Sequence, residues 1–92
     1  MNLKITNCNN FFKIKGILNR RNVHLFQEEF RNIFDRVNKL TISIEELEDI
    51  DRYGINAIAK LHNESITMEK NLSIIGYGHR GLYHHLKSSN VA

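Results

Sequence analysis

The sequence predicts an α/β domain in which a small mixed sheet, made of an N-terminal hairpin and parallel strands, is covered by helices. Three segments alternate apolar and polar residues, as half-buried strands do, and a fourth is a short apolar run. Two longer segments repeat apolar residues every three or four positions, as amphipathic helices do. Because helices separate the later strands, we expect right-handed crossovers and parallel pairing there. The expected order is β-β-α-β-α-β-α.

The chain begins with a predicted hairpin. Leu3 and Ile5 mark the first strand, residues 7–10 supply turn residues, and the second strand runs from Phe11 to Leu18. Gly16 leaves a gap on the inner face of the second strand, which indicates a bulge or a close neighbour.

The first helix is predicted to follow a polar break. Asn22 is a plausible N-cap, and the apolar stripe that follows predicts an amphipathic helix of about four turns. The residues of this stripe are Leu25, Phe26, Phe30, Ile33, Phe34 and Val37.

A third strand and an acidic connector are predicted next. Leu40 to Ile44 has the alternation of a strand with one buried face. The alternation then stops, and residues 45–50 are predicted to be a solvated connector because four of the six are acidic. Asp51 stands where an N-cap belongs, so its carboxylate is expected to accept from the first turn of a helix.

The second helix is predicted from about Arg52 to Lys70, and Asn71 is expected to close it. A short strand from Leu72 to Ile75 follows. Residues 76–78 then turn the chain towards a last short helix from Arg80 to Leu86.

The composition is that of one ordered domain covering residues 1–92. Apolar residues make up 41% of the chain and charged residues 25%, which argues against disorder. The single cysteine, Cys8, cannot form an internal disulfide, and no apolar run has the length of a signal peptide or a membrane span. We therefore expect a cytoplasmic domain that does not insert into a membrane.

Charge is distributed unevenly along the chain, although the net charge is only +3. Residues 1–21 contain five basic residues and no acid, whereas residues 22–50 contain seven acids and three basic residues. A basic edge and an acidic edge on one small domain favour oriented protein contacts, including self-association, over a continuous surface for nucleic acid.

Two motifs and the order of elements resemble the STAS domain of anti-sigma-factor antagonists and sulfate transporters, over nearly the whole chain. Gly16, Leu18 and Asn19 approximate the Gly-x-Leu-Asp pattern that commonly ends the second strand of that family. Residues 51–54, Asp-Arg-Tyr-Gly, stand where the family has Asp-Ser-Ser-Gly. In the antagonists the second of those serines is phosphorylated by the partner kinase. Tyr53 occupies that position here, so the serine switch is absent.

The resemblance implies a non-catalytic domain that binds a regulatory protein, such as an anti-sigma kinase or a subunit of a transport or signalling assembly. The family usually continues with another strand and helix, so we expect either a minimal version of the domain or a sheet edge left for a partner or for a second copy. The predicted contact surface lies at the start and on the exposed face of the second helix. It consists of Asp51, Arg52, Tyr53, Gly54, Asn56 and Lys60, flanked by Glu48, Asp49 and Tyr77.

The alternative function is a small-ligand or nucleotide sensor. Residues 76–81, GYGHRG, formally match a dinucleotide fingerprint, but only eleven residues follow them, too few for the acid that the fingerprint requires about 20 residues later. A site in which the backbone N–H groups of this turn bind an anion is the remaining alternative. Its candidate residues are Gly76, Gly78, His79 and Arg80.

Other chemistries are not predicted. His84 and His85 are adjacent and no His-x-x-x-His pair or cysteine cluster occurs, so no metal and no cofactor is expected. Cys8 has no assigned base and no serine occupies a nucleophile elbow, so an enzyme is not expected. The acidic connector is expected to oppose nucleic-acid binding by the basic residues.

Overall fold

The computed structural model describes residues 2–76, which form a four-stranded mixed sheet with two α-helices. The elements in chain order are β1 (Leu3–Cys8), β2 (Phe11–Leu18), α1 (Val23–Glu29), a short 3₁₀ turn (Ile33–Asp35), β3 (Lys39–Ile50), α2 (Arg52–Thr67) and β4 (Asn71–Ile75). The α/β class is confirmed, and the observed order β-β-α-β-α-β agrees with the first six elements of the predicted order. The last helix predicted, Arg80 to Leu86, lies outside the described residues.

The sheet has the order β1-β2-β3-β4. β1 pairs with β2 antiparallel as the predicted hairpin, whereas β2 with β3 and β3 with β4 pair in parallel. Both crossovers advance across the sheet in the same direction, so right-handed connections place α1 and α2 on the same face, where they pack against each other. The core therefore lies between this face and the two helices. No helix in the described range is long and apolar enough to cross a membrane.

The prediction of a connector at residues 45–50 is wrong, because β3 continues through these residues to Ile50. Between the pairs Lys13–Ser43 and Lys15–Glu46, β3 advances three residues while β2 advances two. A second extra residue of β3 follows between the partners of Gly16 and Ile17. These are β-bulges, which leave the strand intact and change which side chains face inward.

The bulges explain why the alternation is lost in the sequence. Leu40, Ile42 and Ile44 are buried two residues apart, but the next buried residue, Leu47, comes three residues after Ile44. Acidic residues fill the two positions between them and are exposed. A strand with bulges has no fixed period of two, so its pattern resembles that of a loop.

The prediction of a four-turn first helix is also wrong. α1 ends at Glu29, and Asn32 adopts the left-handed conformation with φ of 55°, which interrupts an α-helix. The 3₁₀ turn that follows still buries Ile33 and Phe34. Four of the six residues of the predicted stripe are buried, Leu25 and Val37 are partly buried, and the predicted helical backbone is wrong.

Asn22 precedes α1 but its side chain does not cap the helix. The side-chain oxygen accepts from the backbone N–H of Asn19 at 2.9 Å, and the side-chain nitrogen donates to the carbonyl of Ile17 at 2.8 Å. Asn22 is almost completely buried. It therefore holds the loop between β2 and α1 in one conformation.

The second helix is shorter than predicted by three residues at its end. α2 stops at Thr67, and the chain turns at Glu69, whose φ is 58°. Asn71, predicted to close the helix, is the first residue of β4.

Gly16 has the close neighbour predicted for it and lies where the register between β2 and β3 shifts. Its φ is +95° and the position of its missing Cβ is filled by the backbone of Asn2. The backbone N–H of Ile17 donates to the carbonyl of Asn2 at 2.6 Å, which brings the start of the chain against this irregular part of β2. A side chain at residue 16 is therefore excluded by conformation and by space.

Candidate functional site

The carboxyl ends of β2 and β3 lie side by side, because the two strands are parallel neighbours. β2 is followed by the loop of residues 19–22, and β3 is followed by Asp51 and the start of α2. In open α/β sheets, ligands bind outside the carboxyl ends of the strands. The predicted docking residues at the start of α2 belong to this edge.

Asp51 joins the two segments of the edge. Its carboxylate accepts from the backbone N–H of Gly54 at 3.0 Å, which confirms the predicted N-cap, and from the backbone N–H of Arg20 at 2.9 Å. The backbone N–H of Asp51 donates to the carbonyl of Leu18 at 3.1 Å. One side chain therefore fixes the loop after β2 against the first turn of α2.

These contacts also determine the ionisation of Asp51. Partial desolvation by itself raises the pKa of this carboxyl group, but it is outweighed by hydrogen bonds from the backbone N–H groups of Gly54, Arg20 and Tyr53 and by the positive charge of Arg52. The net result is a lowered pKa. Asp51 is a stable carboxylate at neutral pH with its oxygens already occupied by backbone donors.

Gly54 allows the helix to start this close to the sheet. A Cβ at this position would lie 2.8 Å from side-chain carbons of Ile50 and Leu18 and 2.9 Å from the carbonyl oxygen of Leu18. Gly54 is buried, so it positions the edge and presents no surface of its own. The glycine of the sequence motif is thus explained by packing.

Tyr53 is the aromatic residue of this edge, and 41% of it is exposed. The guanidinium carbons of Arg20 and Arg52 each lie 5.7 Å from the centroid of its ring. This is within the range of cation–π attraction. We call the group of Arg20, Arg52 and Tyr53 the cation–aromatic edge.

Arg20 was not predicted as part of this surface. It lies far from Arg52 in sequence, and only the parallel pairing of β2 with β3 brings the two together. One signal could have found it: Arg20 comes two residues after the end of β2, and parallel neighbours end at the same side of a sheet.

The other predicted contact residues are distributed over several surfaces. Asn56 and Lys60 are exposed on α2, and Lys60 lines a groove between α1 and α2, about 12 Å along the helix from Arg52. Glu48 borders a different groove with Lys4 and Lys15. The structure brings Arg52 and Tyr53 together with Arg20 and leaves Lys60 and Glu48 apart from them.

Asp49 is exposed at the end of β3, where its carboxylate accepts from the backbone N–H of the next residue, Ile50, at 2.9 Å. This contact is local and connects Asp49 to no other element. Asp49 is therefore an exposed acid two residues before Asp51 and does not help to build the cation–aromatic edge.

A second charged cluster lies on the sheet face opposite the helices. Glu46 forms ion pairs with Lys13 at 3.1 Å and with Lys15 at 3.5 Å. The hydrogen bond from Lys13 is the main cause of a lowered pKa of Glu46; desolvation opposes it, and the charges of both lysines add to the lowering. The two lysines of β2 are exposed, and both pair with this single carboxylate, which neutralises one of their two positive charges.

The candidate anion-binding turn is described only at its first residue. Gly76 has φ of +91°, and a Cβ there would lie 2.6 to 2.9 Å from atoms of Glu45. A positive φ and a close neighbour account for this glycine without a ligand. Tyr77, Gly78, His79 and Arg80 lie outside the described residues.

Within residues 2–76, no group of three or more His, Cys, Asp or Glu side chains is placed to hold a metal ion. Cys8 is exposed at the hairpin. The Nδ1 atom of His62 is buried and has no hydrogen-bond partner in this part of the chain.

Comparison with known proteins does not assign the chain to a family. A scan against protein-family models gives no match, and a search of curated proteins gives no significant match.

Proposed function

We propose that this domain binds a regulatory protein without catalysing a reaction, and that it does so through the cation–aromatic edge at the carboxyl ends of β2 and β3. The observation that carries the proposal is the exposed ring of Tyr53 at a fixed helix start, with the guanidinium carbons of Arg20 and Arg52 each 5.7 Å from its centroid. Tyrosine and arginine are enriched among the residues that dominate the binding energy of protein interfaces.

The rigidity of this edge supports docking. Asp51 fastens both of its segments, and Gly54 packs the helix start directly on the end of β2. A surface that is already ordered loses little conformational entropy when a partner binds, so more of the contact energy remains as affinity.

The class of partner follows from the resemblance of residues 51–54 and of the element order to STAS domains. A regulatory protein such as an anti-sigma kinase, or a subunit of a transport or signalling assembly, in a cytoplasmic setting, is the partner we propose. Regulation by phosphorylation of a serine is not part of the proposal, because residues 52 and 53 are arginine and tyrosine.

Affinity capture with the purified, tagged chain tests the docking surface. Proteins recovered by the wild type are identified by mass spectrometry, and the recovery of each is compared for Tyr53→Ala and for Ile66→Ala. Ile66 is a matched control because it is an exposed apolar residue near the other end of α2, 58% exposed. We expect Tyr53→Ala to lose the partner and Ile66→Ala to retain it.

Circular dichroism of each variant excludes unfolding as the cause of a loss. Equal recovery of the partner by the wild type and by a folded Tyr53→Ala variant would show that the edge is not the docking surface.

A further inference from the structure

The two arginines of the cation–aromatic edge carry charges that the described residues leave unpaired. The ion pairs within residues 2–76 both involve Glu46, on another part of the sheet. In the same range, neither Arg20 nor Arg52 donates a side-chain hydrogen bond. Two guanidinium groups lie near one ring and form no ion pair with a described residue, so they form a surface suited to a negatively charged partner.

Asp51 does not compensate these arginines by hydrogen bonding. Both of its oxygens accept from backbone N–H groups, those of Gly54 and Arg20. Its charge reduces the local positive potential, but the guanidinium N–H groups remain available. A guanidinium group near an aromatic face retains donors in its own plane, where a carboxylate can accept two of them at once.

We propose that the cation–aromatic edge binds an acidic peptide segment of the protein partner, with its carboxylates paired to Arg20 and Arg52 beside the ring of Tyr53. This rests on the proposed function and specifies the chemistry of the partner at that site. We choose this occupant for charge complementarity, since the exposed donors are cationic and the ring beside them offers apolar area.

The surroundings favour an acidic peptide over nucleic acid. Glu48 and Asp49 are exposed at the end of β3, close in sequence to Asp51. The lysines of β2, which could extend a basic surface, are paired with Glu46. A nucleic-acid backbone carries a charge every few ångströms and would meet these carboxylates, whereas discrete acidic side chains can be placed only where the arginines are.

The test is a titration of the isotopically labelled full chain, followed by NMR at low salt. The probe is a capped peptide of six glutamates, and a capped peptide of six glutamines is the neutral comparison. We expect the glutamate peptide to shift the side-chain Nε–H signals of Arg20 and Arg52 and the backbone signal of Tyr53. The glutamine peptide should leave them unchanged.

A double variant with a matched control shows whether the peptide binds through these two arginines or only through the net charge of the protein. Arg20→Gln with Arg52→Gln should weaken binding of the glutamate peptide at least about fivefold. Arg31→Gln with Arg36→Gln removes the same charge from two other exposed arginines and should leave the affinity within about twofold. Equal weakening by the two double variants, or shifts confined to other residues, overturns the proposal.

Two further outcomes would assign another occupant. Tighter binding of a hexathymidine oligonucleotide at the same residues would make the site one for nucleic acid. Shifts of the same signals with protein concentration alone would make the occupant a second copy of the chain. Either result overturns the acidic peptide.

The two proposals fail in different ways. If Tyr53→Ala loses the captured partner while the Arg20→Gln, Arg52→Gln variant recovers it fully, docking at the edge stands and the acidic segment is wrong. If Tyr53→Ala recovers the partner, the docking surface itself is wrong.

Discussion

Asp51 holds the candidate site together, and replacing it with alanine is the most informative perturbation. The substitution removes the acceptor for the backbone N–H groups of Gly54 and Arg20, at 3.0 and 2.9 Å. Loss of an N-cap costs about 1 kcal/mol, and loss of a second hydrogen bond to a charged acceptor about another 1 kcal/mol where water can replace it. For a domain of this size, about 2 kcal/mol lowers the melting temperature by roughly 8 to 16 °C.

The loss of stability caused by Asp51→Ala should depend on pH in a defined direction. The folded state lowers the pKa of Asp51 below its ordinary value of 3.8, so it binds the proton less tightly than the unfolded chain does. The stabilisation by the carboxylate is therefore complete above that ordinary value and is lost as the pH falls through the folded pKa. The difference in free energy of unfolding between the wild type and Asp51→Ala should be larger at pH 7 than at pH 3.

Thermal and urea unfolding, followed by circular dichroism at both pH values, measure this difference. Asp51→Asn keeps a capping acceptor and removes the charge, so it should fall between the wild type and the alanine variant at pH 7. Glu48→Ala, at an exposed acid of β3, should change stability by less than about 0.5 kcal/mol. A deficit of Asp51→Ala that is absent at pH 7, or equal at the two pH values, would refute the reasoning.

Three further substitutions test the packing and charges around the site. Gly54→Ala should destabilise by about 1 to 2 kcal/mol in urea unfolding, because overpacking against Leu18 exceeds the gain in helix propensity; a more stable variant would contradict this. Gly16→Ala should cost about 1 to 3 kcal/mol, since φ is +95° and the Asn2 carbonyl fills the space, and an unchanged urea midpoint would be incompatible with that geometry. Glu46→Gln should lower the melting temperature slightly at low salt and by less at high salt, because exposed ion pairs are screened; a loss independent of salt would argue against the pairs.

Much of the fold could be predicted because it is encoded in local patterns. The hairpin, the inner face of β2 and the N-cap at Asp51 follow from alternation, turn residues and capping preference. The parallel pairing of the later strands follows from the helices between them. These features depend on residues that are close in sequence, or on a rule of chain connection that holds for most proteins.

Two elements could not be predicted, for related reasons. In β3, the two bulges shift the inward residues from a spacing of two to a spacing of three, and only the partner strand β2 shows that pairing continues. In α1, the apolar stripe continues past Asn32 although the backbone does not remain helical. An apolar pattern reports which side chains are buried, and several backbone conformations can bury the same ones.

The candidate site also has features that follow from local sequence and features that depend on the tertiary structure. The sequence by itself determined that Asp51, Arg52 and Tyr53 begin a helix at the end of a strand, because capping is a local interaction between a side chain and the next few N–H groups. Only the tertiary structure decided that Arg20 lies beside Tyr53 and that Asp51 fastens the loop after β2. Those contacts depend on which strands are neighbours, and the free energy that sets this order comes from core packing summed over the whole sheet and both helices.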